Sequence, residues 1–161
     1  MRRQDILAFG LWCLVPLGLM FPAWLAPDMA MHNYGDLYAY HYPMRHVVAG
    51  SLQAGRLPFW NPYIFMGLPL SANPQAVLFY PVTLLSHLWP LGLAFSWDYL
   101  FHMLWGGLGV FLLARKNGLG TVASLLVTTM YGLCPFLVYR VTEGIPTLLA
   151  SLAWVPWAWL A

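Results

Sequence analysis

Charged side chains are scarce in this sequence. Only seven Lys or Arg and five Asp or Glu occur among 161 residues, which is 7%, whereas 61% of the residues are hydrophobic. A soluble domain carries roughly 25% charged residues, because its surface faces water. Twelve charges cannot cover such a surface, so the composition predicts that lipid is the solvent for most of the chain.

Basic runs and cysteine motifs are also missing. The net charge is only +2, and without a basic cluster a nucleic-acid partner is not expected. The two cysteines, Cys13 and Cys134, both lie in apolar runs. There is no CxxC motif and no Cys/His spacing of the zinc type. We therefore expect two small buried side chains, with neither a disulfide nor a dedicated metal site.

Uncharged stretches predict the membrane spans. The first, residues 6–26, follows Arg2 and Arg3 and is long enough for a hydrocarbon core of about 30 Å. Trp24 stands where a signal peptidase would need a small residue, which favours a retained anchor over a cleaved signal. Further spans are predicted at residues 93–114 and 119–139, and a truncated fourth at 147–161.

The uncharged stretch from residue 57 to 97 is different because it contains six prolines. A proline inside a helix costs about 3 kcal/mol, so this stretch does not predict a span. We expect residues 27–92 to form a long external loop with interfacial helices at about 37–54 and 76–89. The first is amphipathic and would lie on the outer membrane surface. Its apolar residues, spaced by three and four, are Leu37, Tyr40, Met44, Val47, Val48 and Leu52.

Basic residues predict the topology and complete the fold. Arg2–Arg3 and Arg115–Lys116 both become cytoplasmic if each helix crosses once, which places the N-terminus inside and the long loop outside. The predicted fold is all-α, a polytopic transmembrane helical bundle forming a single domain over residues 1–161. Because the last span is truncated, we expect that further transmembrane helices of a longer protein are missing.

The long loop carries most of the candidate functional residues. Asp36 is placed either as a helix N-cap or as a general base, with Asp28 as the alternative carboxylate. The aromatic side chains suit a membrane interface and a sugar-binding surface equally well. The cations suit lipid headgroups or a substrate phosphate. The candidate substrate-binding residues are His41, Arg45, Arg56, Trp60, Asn61, Asn73, Gln75 and Glu143.

One motif in this loop is long and specific. From Gly55 to Gln75 the sequence fits the pattern GxLPxWNPxxxxGxPxxxNPQ. With the flanking residues from Gly35 to about Leu85, it resembles the first external loop of the YfhO-like family of bacterial multi-spanning membrane proteins. That family is similar to GT-C-type glycosyltransferases, which take sugars from polyprenyl-phosphate donors.

The resemblance implies a function and a location. The chain would be the N-terminal part of a glycosyltransferase-like protein in the bacterial inner membrane, moving a sugar from a lipid-linked donor to an extracytoplasmic acceptor. Asp36, or else Asp28, would be the catalytic acid residue, and Arg45 or Arg56 would face the phosphate. No adjacent pair of acidic residues is present, which leaves divalent-metal use open. The alternative is a non-enzymatic assembly or lipid-binding component of cell-envelope polymer export.

Overall fold

The computed structural model describes residues 2–25 and 35–161, and this part of the chain is mostly helical. The predicted all-α class is therefore confirmed. A single two-residue antiparallel ribbon occurs among the described residues, pairing Trp60 with Pro69 and Asn61 with Leu68. The helices are α1 (Arg3–Trp12), α2 (Leu14–Leu25), α3 (Tyr42–Gln53), α4 (Pro81–Ser86), α5 (Leu91–Lys116), α6 (Thr121–Gly132), α7 (Pro135–Glu143) and α8 (Pro146–Leu160), and the strands are β1 (Trp60–Asn61) and β2 (Leu68–Pro69).

Two helical segments of the described chain are long and apolar enough to cross a bilayer. They are Arg3–Phe21 and Thr121–Glu143. Prolines interrupt the regular helix in both regions. Pro16 has no N–H to bond the carbonyl of Trp12, close to the break between α1 and α2. Pro135 is in the first turn of α7, where a missing N–H costs least.

Helix α5 is the centre of the fold. Its 26 residues extend about 39 Å and pack against α2, α4, α6 and α8. Glycines allow the closest approaches, because a Cβ on Gly106 would lie 3.1 Å from the Cα of Ala153 on α8. Small residues at helix contacts are typical of membrane bundles. The main apolar cluster surrounds this helix: Met20, Leu37, Phe95, Tyr99, Leu100, Met103, Leu137, Val141 and Leu149.

The N-terminus and the α5–α6 turn meet at one end of the bundle. The Asp5 carboxylate accepts a hydrogen bond from the Thr121 hydroxyl (2.7 Å) and lies 3.3 Å from the Arg115 guanidinium. It also accepts from the backbone N–H of Arg2 (2.9 Å). The two basic pairs used for the topology prediction therefore lie at the same end of the molecule.

The first surface helix differs from its prediction in both form and environment. A π-helical turn, Leu37–His41, leads into α3, which begins beside Pro43. Five of its six predicted apolar residues do share one face, whereas Leu37 belongs to the main apolar cluster. However, that face does not lie against lipid, because protein covers it. The covering side chains include Leu70, Ala76 and Leu78, which form a second apolar cluster with Met44 and Val48.

The second surface helix is shorter than predicted. Of residues 76–89, only Pro81–Ser86 is α-helical. Val77 has a left-handed backbone (φ +45°), which a helix running through it would not allow. Helix α4 then begins at Pro81, whose fixed φ suits a first turn but whose ring prevents an earlier start.

Candidate functional site

A large cavity lies between α3 and the polypeptide that follows it. Its volume is about 990 Å³, in the range of small-molecule sites. One wall consists of α3 residues, including Tyr42 and His46, and the other carries Arg56, Trp60 and Tyr63. Aromatic faces and one cation thus share a single cleft. We call it the α3 cleft, and its lining residues are Tyr42, Pro43, His46, Val47, Gly50, Ser51, Arg56, Leu57, Phe59, Trp60, Pro62 and Tyr63.

The hairpin between β1 and β2 shapes the second wall of the α3 cleft. Asn61 is buried, and its side-chain oxygen accepts a hydrogen bond from the backbone N–H of Tyr63 (3.0 Å), an arrangement that fixes a turn. The Trp60 ring packs directly over Gly67, where a Cβ would come within 2.9 Å of the indole nitrogen. Gly67 has a φ of +115°, a value that side chains rarely tolerate. Gly67 is therefore required for two reasons: a side chain would clash with the Trp60 ring, and its φ lies in a region that other residues rarely adopt.

Asn73 fastens the end of the hairpin region to the π-helical turn. Its side-chain nitrogen donates to the Tyr40 hydroxyl (2.7 Å), and its oxygen accepts from the backbone N–H of Gln75 (2.9 Å). Two predicted substrate-binding residues, Asn61 and Asn73, thus make hydrogen bonds within the protein. The NP dipeptides of the motif build the loop, while Arg56 and Trp60 face the α3 cleft.

A buried ion pair joins α3 to α5. The Arg45 guanidinium pairs with the Asp98 carboxylate, and the two residues are only 3% and 2% exposed. The Arg45 guanidinium carbon also lies 4.3 Å from the centre of the Phe95 ring, a cation–π contact. Arg45 was one of two cations expected to face a phosphate. The structure places it in the interior opposite Asp98, so that Arg56 is the arginine of the α3 cleft.

The ion pair continues into a chain of hydrogen bonds. The His102 Nδ1–H donates to the Asp98 carbonyl oxygen (2.7 Å) and lies 2.9 Å from the Asp98 carboxylate. The Tyr80 hydroxyl then donates to His102 Nε2 (2.8 Å) and accepts from the indole N–H of Trp154 (3.0 Å). This arrangement assigns the imidazole hydrogen to Nδ1. We call these residues the Asp98 network: Arg45, Tyr80, Asp98, His102 and Trp154.

Sequence reasoning missed the Asp98 network, although a signal was present. Asp98 lies within the predicted span 93–114, and the sequence alone suggests no role for it. A carboxylate in an apolar helix is expensive to bury, and His102 follows it at a spacing of four, on the same helix face. Such a pair predicts a buried partner. The partner itself, Arg45, lies 53 residues earlier, and no local pattern identifies it.

Two further histidines in this region are held neutral. Burial, together with the nearby Arg45 charge, lowers the pKa of His41 to about 4. The same two causes lower the pKa of His87 to about 4. His41 is buried, so the structure places this predicted substrate-binding residue away from solvent. The interior around Arg45 thus contains one paired cation and neutral imidazoles.

Asp36 is exposed and does not act as a helix cap. It occupies the N-cap position of the π-helical turn, but its side chain accepts no capping hydrogen bond. Its neighbours fit tightly against the end of α7. A Cβ on Gly144 would lie 2.9 Å from the Leu37 backbone nitrogen, and Gly35 faces the Glu143 backbone. Asp36 and Glu143 therefore belong to two adjoining segments. The alternative catalytic candidate, Asp28, lies outside the described residues.

Glu143 is engaged with a neighbour on its own helix. Its carboxylate pairs with the Arg140 guanidinium, and both side chains are about one third exposed, at 29% each. The Arg140 guanidinium also lies 5.0 Å from the centre of the Phe136 ring.

Among the residues that the structure describes, no group of three His, Cys, Asp or Glu side chains could hold a metal ion. No family model, no curated protein and no solved structure matches this chain.

Proposed function

We propose that this chain provides the sugar-binding part of a membrane-embedded, GT-C-like glycosyltransferase, which uses a polyprenyl-phosphate sugar as donor. The observation that carries the proposal is the α3 cleft. It places four aromatic rings, those of Tyr42, Phe59, Trp60 and Tyr63, around one space with the Arg56 guanidinium. Aromatic faces match the apolar faces of pyranose rings, and a guanidinium matches a phosphate.

The proposed reaction requires little from the protein beyond positioning and charge. The acceptor hydroxyl attacks the anomeric carbon of the donor, and the bond between that carbon and the phosphate oxygen breaks. The hydroxyl proton passes to a carboxylate, for which Asp36 is the candidate base, since it is exposed and makes no capping bond. The polyprenyl phosphate leaves with its negative charge, which Arg56 would offset.

A multi-pass bundle in the bacterial inner membrane, with the loop outside, completes the proposal. It is supported by the two apolar helical segments, Arg3–Phe21 and Thr121–Glu143, which are long enough to cross a bilayer. The resemblance of the Gly55–Gln75 motif to the YfhO-like family supports the same location. In this arrangement the α3 cleft would lie near the outer leaflet, where a lipid-linked donor presents its headgroup.

Binding to the purified chain in lipid nanodiscs tests the cleft. The probes are polyprenol, polyprenyl phosphate and polyprenyl-phosphate glucose, with affinities measured by intrinsic fluorescence. We expect Arg56→Gln to weaken both phosphate-bearing probes about tenfold, equivalent to about 1.4 kcal/mol. Trp60→Ala should weaken the glucosylated probe selectively. Arg3→Gln is the matched control, because it removes an exposed arginine on α1, outside the cleft. Equal affinities for all three probes, or no effect of Arg56→Gln, would contradict the proposal.

The catalytic assignment needs a separate measurement. In a preparation that supports sugar transfer, Asp36→Asn should abolish turnover while leaving donor binding intact. Normal transfer by a well-folded Asp36→Asn protein would rule out Asp36 as the base. Donor binding without transfer by the wild-type protein would instead favour the non-enzymatic, lipid-binding alternative.

A further inference from the structure

The tip of the β1–β2 hairpin presents large apolar side chains to the outside. Met66, Phe65 and Tyr63 are 98%, 87% and 81% exposed. These are among the highest exposures of any large apolar side chains in the described residues. Such side chains are normally covered, and contiguous exposed apolar groups mark an interaction surface.

The exposed conformation is built into the hairpin. Phe65 and Met66 have φ values of +50° and +59°, in the left-handed region that costs roughly 1–2 kcal/mol for such residues. The backbone N–H of Gly67 donates to the Ile64 carbonyl (2.8 Å), which closes the turn. The buried Asn61 side chain and the Trp60 ring support it from below. These contacts hold the turn in one conformation, which a loop that is exposed only because it is unpacked would not require.

Charge favours a lipid surface as the occupant. The stretch from Leu57 to Trp97, which contains the whole hairpin, has no Lys, Arg, Asp or Glu. An interface with a charged partner would need complementary charges here, whereas immersion in a bilayer interface needs their absence. Aromatic rings favour the headgroup layer, and methionine adapts to disordered chains. The apolar helical segments of the same chain would hold the bilayer close to the hairpin.

We propose that the hairpin tip, residues 63–66, is a membrane-interface anchor that inserts Phe65 and Met66 into the headgroup and upper acyl region. The large apolar side chains of the loop then have different roles. Phe65 and Met66 contact lipid, Tyr42 and Trp60 face the α3 cleft, and Tyr63 lies where the tip adjoins the cleft. The anchor is independent of sugar transfer, because it rests on exposure and charge alone.

Site-specific fluorescence tests the insertion. A single cysteine replaces Met66 in a chain whose Cys13 and Cys134 are changed to serine, and it is labelled with an environment-sensitive dye. The matched control is Ser71→Cys, an exposed position beyond β2. The labelled proteins are placed in phosphatidylcholine–phosphatidylglycerol nanodiscs, so that both faces are open to solvent. Quenching is measured with lipid carrying a nitroxide near the headgroup, and with aqueous iodide.

The expected result is several-fold stronger lipid quenching at position 66 than at position 71, with the reverse order for iodide. Iodide quenching at position 66 equal to that at 71 would overturn the anchor. Protection of position 66 from both quenchers would overturn it as well, because protein rather than lipid would then cover the tip. A thermal transition shared by both labelled proteins and the unlabelled chain shows that they are folded.

Discussion

Two regions of the long loop hold side chains in environments that do not match their polarity. They are the base of the loop, which contains His41, Arg45 and His87, and the hairpin tip, residues 63–66. At the base, Arg45 is charged, yet it is almost completely buried against Asp98. At the tip, Phe65 and Met66 are apolar, yet they are almost completely exposed. The charge is satisfied by a partner inside the chain, whereas the apolar groups have no cover among the described residues. The base therefore joins the loop to the helical bundle through Arg45 and Asp98, whereas the tip points away from the protein.

The largest expected effect comes from breaking the buried ion pair. Asp98→Ala leaves the Arg45 charge buried and uncompensated, which destabilises a protein by about 3–5 kcal/mol. We expect a large loss of thermal stability in detergent solution, and the double variant Arg45→Met with Asp98→Leu should recover most of it. Asp36→Asn is the matched control at an exposed carboxylate and should change stability by less than about 0.5 kcal/mol. Equal effects of Asp98→Ala and Asp36→Asn would show that the buried pair does not join the loop to the bundle.

Acid should lower the stability of the protein less than Asp98→Ala does, but more than a substitution at the hairpin tip. The pKa of both His41 and His87 is lowered to about 4 in the folded protein, against about 6.5 when unfolded. The unfolded chain therefore binds more protons between these values, and stability rises with pH across the same window. Thermal unfolding measured from pH 7 to pH 4 should show a falling midpoint.

Substitution of either histidine isolates its part of the acid effect. His41→Gln and His87→Gln should each flatten the slope between pH 6.5 and 4, because one titrating group is removed. An unchanged slope in both variants would contradict the assignment of neutral buried imidazoles. The hairpin tip contains no acidic, basic or histidine side chain, so the dye response at position 66 should stay constant across this pH range.

The smallest effect on stability is expected at the tip. Phe65→Asn with Met66→Asn removes two large apolar groups, but both are exposed, and asparagine tolerates the left-handed backbone better. Unfolding free energy should change by about 0.5 kcal/mol or less. A dye at Tyr63→Cys should nevertheless lose most of its lipid quenching in this variant. A large drop in stability would mean that the tip packs within the folded protein.

Local patterns predicted most of the helical regions, but neither all of their bounds nor their environment. Uncharged length and proline positions predicted α5, the α6–α7 region and the irregular stretch from Gly55 to Gln75. The apolar face of α3 was also predicted, through its spacing of three and four. The environment of that face was not predicted. Periodicity shows that the face is buried, but it does not show whether lipid or protein, such as Leu70, covers it.

The candidate site was predictable only in part. Arg56 and Trp60 belong to a conspicuous motif, and the structure brings them to one cleft. Arg45 and Arg56 look equivalent in the sequence, because both are cations in a loop rich in aromatic residues. What separates them is contact with Asp98, which depends on how α3 docks on α5. Docking of elements distant in sequence is a tertiary property that composition does not encode.

The ion pair between Arg45 and Asp98 also sets an order of events during synthesis. Arg45 leaves the ribosome 53 residues before its partner, so the loop is made while its counter-ion does not yet exist. Contacts so far apart in sequence form late, after the ends of the intervening chain meet. The Arg45 side chain therefore stays solvated until α5 has formed. Completion of α5 would then be the step that withdraws the charge from water and fixes the position of α3.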